Sequence, residues 1–150
     1  MPTLFTIGYE QATVGRVIDE LKRADVDVVI DTRAVAASRK PGFSKRQLAA
    51  GLDEKGVGYL HLQGLGTPKE GRLAARAGQM DKLFKIYSAH LKTARAREEL
   101  DELTALAQSG KRLCLLCFER DYRQCHRQWI AEIVEERTGV PVEHLAAELL

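Results

Sequence analysis

No stretch of this sequence stays apolar for the roughly 20 residues that crossing a bilayer requires. The N-terminus, Met1-Pro2-Thr3-Leu4, also lacks the basic segment and apolar core of a secretory signal. A soluble cytoplasmic protein with no membrane partner is the expectation. Cysteine is scarce, with three in 150 residues, at positions 114, 117 and 125. An odd number at uneven spacing is no disulfide framework, and a reducing compartment opposes stable bridges, so Cys117 and Cys125 are expected as separate thiols. Cys114 lies inside an apolar run and reads as a small core residue. No repeat, low-complexity tract or linker interrupts the chain, which is read as one domain, residues 1–150, with 45% hydrophobic residues to build its core.

The net charge is small, +2, and hides an asymmetry. Residues 32–97 carry fourteen Lys/Arg against four Asp/Glu, a local net of +10, and the rest carry nine against seventeen, a net of −8. A basic middle third suits an anionic partner, and solvated helix faces are the plainer explanation of the same charge.

Short apolar runs alternate with helical patterns. "LFTI" reads as a strand stopped by Gly8, and Val14, Val17, Ile18 and Leu21 give a helix capped by Thr13. "VDVVID" is a second strand ending at Asp31. Ser44 with Gln47 three residues on has the capping-box pattern and opens a helix that stops near Gly56. "YLHL" is a third strand, "QGLGTPKEGR" a long polar loop, and helices follow around Leu83–Leu91 and Leu100–Ala107. Leu113–Cys117 is a fourth strand. Trp129, Ile130, Ile133 and Val134 mark another helix, and "PVEHL" a last short strand. Strands alternating with helices predict an α/β fold, a single compact domain with a mostly parallel sheet of four to five strands and helices on both faces.

In such a sheet ligands bind beyond the carboxyl ends of the strands. The residues emerging there are Gly8-Tyr9-Glu10, Asp31-Thr32-Arg33, the loop after Leu62, and "CFERDYRQCHR" from Cys117. Cys117 and Arg123 fit the C-x5-R spacing of cysteine phosphatases, but Glu119 and Asp121 would repel the phosphate and the segment has no glycine. Cys125-His126-Arg127 falls in the first turn of the last long helix, where unpaired amides favour anions and a thiolate. Metal ligation by Cys117, Cys125 and His126 is weighed against a spacing that fits no recognised zinc pattern. A cysteine packed under the helix start and a hydrogen-bonded histidine are the plainer account. "RAVAASRKPGFSKR" carries five cations and no acid, and its guanidinium forks suit phosphate or carboxylate.

"TIGYE", "DTR", "SRKPGFSK", "LGTPKEGR" and "LLCFERD…CHR", in this order and spacing, resemble the bacterial family catalogued as domain of unknown function 488. The resemblance spans nearly the whole chain and implies a compact α/β domain. Thr32 stands where the family usually has a hydrophobic residue, and Asp121-Tyr122 replaces its common Asp-Pro. The family brings no settled activity.

The leading expectation is a charged rim that binds a phosphate-bearing anion, a nucleotide or nucleic acid. In an enzymatic version, a hydrolase, Asp31 and Glu119 serve as acid/base groups or ligands of a divalent metal ion, the candidate cofactor. Gly8, Tyr9, Glu10, Arg33, Ser38, Arg39, Cys125, His126 and Arg127 are the candidate ligand-binding residues. The alternative is a non-catalytic nucleic-acid or protein-binding module using the same basic band. A third reading is thiol or metal chemistry at Cys117, Cys125 and His126. Glu119 and Arg127 are expected to matter more than either thiol, with an ion pair between them as the plainer role. A binding module needs its charge on an open face, whereas an enzyme needs it to converge in a pocket.

Overall fold

The computed structural model describes residues 3–148. Strands β1 (Leu4–Gly8), β2 (Val28–Asp31), β3 (Gly58–His61), β4 (Leu113–Cys117) and β5 (Val142–Ala146) form one sheet in the order β3-β2-β4-β1-β5, parallel throughout. Helix α1 (Val14–Arg23) follows β1 and α2 (Lys45–Glu54) follows β2. Helices α3 (Lys69–Arg76), α4 (Met80–His90) and α5 (Ala94–Gln108) lie between β3 and β4, and α6 (Arg127–Thr138) joins β4 to β5. Every residue of β1 and β4 is buried, which is why both read as unbroken apolar runs rather than alternating ones.

The strand order explains the two cores. The chain moves one way along the sheet from β1 to β3 and then returns through β4 to β5, so right-handed crossovers put the early and late helices on opposite faces. Val17, Ile18 and Leu21 of α1 and Leu48 and Leu52 of α2 share one core with Phe5, Ile7 and Leu116. Tyr87, Leu100, Leu103, Ile130 and Val134 of the later helices share the other with Leu4, Ile30 and Leu115. The face changes beside β4, whose neighbours β1 and β2 both lead to helices on the other side. The crevice for a ligand therefore opens at the carboxyl end of β4.

Two local expectations change. "KEGR" is helical rather than loop: α3 starts just after Pro68, with Glu70 in its first turn. The fixed φ of proline and an acid near the amide end favour that start. Thr13 caps α1 as expected, its Oγ1 accepting from the Arg16 amide. Ser44 caps nothing, because its hydroxyl is engaged by Ser38, accepting from the amide and donating to the carbonyl, both at 3.0 Å. Gln47 instead accepts from the Gly42 amide. These bonds fix the loop after β2 over the sheet edge.

Candidate functional site

A cavity of about 620 Å³ opens at the carboxyl end of the sheet. Tyr9 from β1, Arg33 to Arg39 after β2, Thr67, Arg72 and Arg76 around α3, and Cys117, Phe118, Glu119, Cys125 and His126 after β4 contribute to its lining. Gly8 makes this assembly compact: a Cβ there would overlap the Glu119 carbonyl. Gly66 likewise lets the chain after β3 press against Ala34, closing the wall between the second and third strand ends.

Tyr9, Arg33, Ser38, Arg39, Glu119, Cys125 and His126 line the cavity as candidates, while Gly8, Glu10, Asp31 and Arg127 stand behind the lining. Asp31 is fully buried and accepts four hydrogen bonds: from the Arg33 amide (3.1 Å), Arg33 Nε (2.9 Å), Arg33 Nη2 (2.7 Å) and the Tyr59 hydroxyl (2.5 Å). Such a carboxylate is saturated. It offers no free oxygen for general base work or for sharing a metal with Glu119. Arg33 is committed too, since its Nη1 also donates to the Tyr9 hydroxyl and the Phe43 carbonyl. Burial opposes its charge, but the Asp31 bonds and charge prevail and hold its pKa above the usual arginine value. Burial, then the bond to Asp31, raises the Tyr59 pKa in turn. Tyr9 stacks on Phe43 at 4.2 Å between ring centroids instead of offering a face to a ligand. Ser38 accepts from the Lys40 amide and shapes the loop. Glu10 accepts from the Arg120 amide and ties β1 to the loop after β4.

The other side of the cavity is built differently. After β4 a short 3-10 turn, Tyr122–Gln124, with Asp121 accepting from the Arg123 amide, turns the chain back so that Cys125 faces the strand end. Arg123 pairs outward with Asp121 at 3.0 Å, so the C-x5-R spacing makes no phosphate loop. The structure brings the sulfurs of Cys117 and Cys125 side by side at the end of β4, close enough to act as a pair rather than as two unrelated thiols. The composition rule that excludes a framework of bridges says nothing about a single local pair brought together by one turn. Cys114 stays free and buried.

Arg127 is completely buried and does not reach the cavity. Its Nη1 lies 2.9 Å from Cys117 Sγ and donates to the Glu119 carbonyl at 2.6 Å, and its Nη2 donates to the Arg120 carbonyl at 3.1 Å. The expected pairing with the Glu119 carboxylate is replaced by bonds to backbone and sulfur. Without a hydrogen-bonded carboxylate, burial lowers the Arg127 pKa to about 10. Burial raises that of Glu119, although its own backbone and the Arg127 charge pull the other way. His126 Nε2 lies 2.8 Å from the Thr32 carbonyl and therefore carries the ring proton, leaving the Nδ1 lone pair 3.6 Å from Cys125 Sγ. Burial brings its pKa down to about 4, so the ring is neutral at pH 7.

Cys117, Glu119 and Cys125 each offer a ligand atom within 4.8 Å of the others. The candidate metal set therefore takes Glu119 in place of His126. Such a site requires the reduced cysteines. Sequence reasoning missed Arg72 and Arg76, which lie four residues apart on α3 and so on one helix face. The signal was Pro68 followed by Glu70, a helix opening taken for loop.

The family model described as "Domain of unknown function DUF488" matches residues 13–134. The chain belongs to the DUF488 family. The matched span holds β2, β3, β4 and most of the cavity lining, while β1 and β5, with Tyr9 and Glu10, lie outside it. No curated protein and no solved structure matches the chain.

Proposed function

We propose that this DUF488 protein binds a small phosphate-bearing anion of nucleotide size in the rim cavity, and that the anion presents its reactive part to the groups at the end of β4. The observation that carries the proposal is the convergence of Arg39, Arg72 and Arg76 on a concave site of about 620 Å³ with Glu119 as the one carboxylate in its lining. Arg39 and Arg76 are exposed and make no hydrogen bond or ion pair within the described residues, so both guanidinium forks are available to an anion. A concave arrangement favours a small molecule over an extended nucleic acid, which needs an open basic face. No helix is long and apolar enough to cross a membrane.

Isothermal calorimetry with pyrophosphate and a nucleoside diphosphate tests this. Substituting Arg39→Gln or Arg76→Gln should weaken binding roughly ten- to hundredfold each, as loss of a charged hydrogen bond does, and added salt should weaken it further. Affinity indifferent to both substitutions would refute the proposal. Tighter binding of a single-stranded oligonucleotide than of either small anion would favour the nucleic-acid module instead.

A further inference from the structure

We propose that Cys117 and Cys125 form a reversible redox couple that exchanges with a small phosphate-bearing disulfide admitted to the cavity. The anionic character of that substrate rests on the anion-binding proposal above, whereas the redox couple rests on separate observations.

Both cysteines belong to the cavity lining, buried at its floor where the chain enters and leaves the turn after β4. A bridge with only a bracing role has no need to face a ligand site. Cys114, three residues earlier on β4, supplies the contrast: it is buried as they are but takes no part in the lining, and burial pushes its thiol well above the usual range. Cys117 has a guanidinium 2.9 Å from its sulfur, and that guanidinium makes no hydrogen bond to a carboxylate. On reduction, Cys117 Sγ sits between the buried Arg127 guanidinium and the Glu119 carboxyl, whose Oε2 is 3.6 Å away. The positive charge favours the thiolate, and burial, which raises the Glu119 pKa, favours the protonated carboxyl that would not oppose it. Cys125 sits at the amide end of the twelve-residue α6, with the Arg127 amide 3.5 Å and the unprotonated His126 Nδ1 3.6 Å from its sulfur.

The reaction balances as a thiol–disulfide exchange. The Cys117 thiolate attacks one sulfur of the substrate disulfide, forming a mixed disulfide and releasing one substrate thiolate. Cys125 gives up its proton to water. Its sulfur then attacks the Cys117 sulfur, closing the protein bridge and releasing the second thiolate. Two electrons move from the cysteine pair to the substrate, and the two protons lost by the cysteines are taken up by the two product thiols. The reverse sequence opens the bridge at the expense of a small anionic thiol.

The test uses the full-length chain, reduced with dithiothreitol and freed of it. Coenzyme A disulfide, which carries phosphates, is compared with cystamine, a disulfide of opposite charge. Closure of the pair is followed by iodoacetamide trapping and peptide mass. The anionic disulfide should react at least about tenfold faster, the lower end of what charge steering into a cleft achieves. The Arg39→Gln/Arg76→Gln double variant should lose that preference, and Cys125→Ser should stop after the first exchange with one substrate half on Cys117. The rate ratio of the unaltered chain decides the matter even where a variant folds poorly. If the pair neither opens under dithiothreitol in the folded chain nor closes with either disulfide, the couple is refuted, whatever pyrophosphate does. Equal rates with pyrophosphate binding intact overturn the substrate class alone. Equal rates without pyrophosphate binding overturn the anion-binding proposal as well.

Discussion

Two buried arginines stand behind one cavity, and their neighbours give them opposite characters. Arg33 is clamped by Asp31 through two side-chain bonds, with Tyr59, Tyr9 and Phe43 completing the network. Arg127 is buried just as deeply among two carbonyls and a sulfur. In the first case a carboxylate compensates the charge and the guanidinium pKa rises. In the second, burial outweighs the more distant Glu119 charge and the pKa falls to about 10. A saturated pair fixes two loops to the sheet and has nothing left for chemistry. An arginine without a hydrogen-bonded carboxylate keeps a field directed at whatever anion appears beside it, which a reduced Cys117 would become.

The largest effect separating the two should come from the clamp. Asp31→Asn or Arg33→Met leaves a buried partner unpaired and should cost about 3–5 kcal/mol of unfolding free energy, seen as a lowered urea midpoint with an unchanged slope. A loss under 1 kcal/mol would show that the pair is not the brace described. The acid dependence comes next. His126 titrates near 4 in the folded chain and near the ordinary 6.5 when unfolded. Between those values the unfolded chain binds the extra proton, so stability should be fully present above about pH 6.5 and fall toward about pH 4. The loss reaches at most about 3 kcal/mol and levels off below. Glu119, its pKa raised by burial, acts in the opposite sense and trims the loss. Denaturation midpoints between pH 4 and 7 should lose this slope in His126→Gln.

Arg127→Met should cost less than the clamp, about 1–3 kcal/mol for two carbonyls left without donors. In the reduced chain it should also slow alkylation of Cys117 at pH 7 severalfold, a change that a purely structural arginine would not cause. The smallest stability effect belongs to the exposed cations. Arg39→Gln and Arg76→Gln should leave the melting midpoint within about 0.5 kcal/mol of the original while anion affinity drops.

The sheet and its rim were legible because buried parallel strands are continuous apolar runs, and β1, β2 and β4 each end at a residue that breaks the run. What the rim residues do was less legible. Asp31 and Arg33 are two apart at a strand end and so project to the same side, a spacing that already allowed them to consume each other. Read singly, they looked like free acid and free cation. Arg72 and Arg76 were hidden by taking a proline-led helix for a loop. The meeting of Cys117 with Cys125 depends on a tight turn stabilised by the Asp121 side chain. Spacing alone does not show whether seven intervening residues extend a loop or fold it back.

The position of β1 has a consequence for how the chain must be made. Its register partners are Leu113–Cys117 on one side and Val142–Ala146 on the other, so the first strand synthesised waits for the last two. At ribosomal speeds of roughly 5–20 residues per second the wait for Leu113 alone is roughly 5 to 20 s. Throughout that interval Leu4, Phe5 and Ile7 have neither a hydrogen-bonded neighbour strand nor a closed core above them, while β2 and β3 can already pair. Slow decoding of the long α3–α5 stretch would prolong the exposure of that orphan strand, and the yield of folded protein should be more sensitive to the pace of translation there than anywhere else in the message.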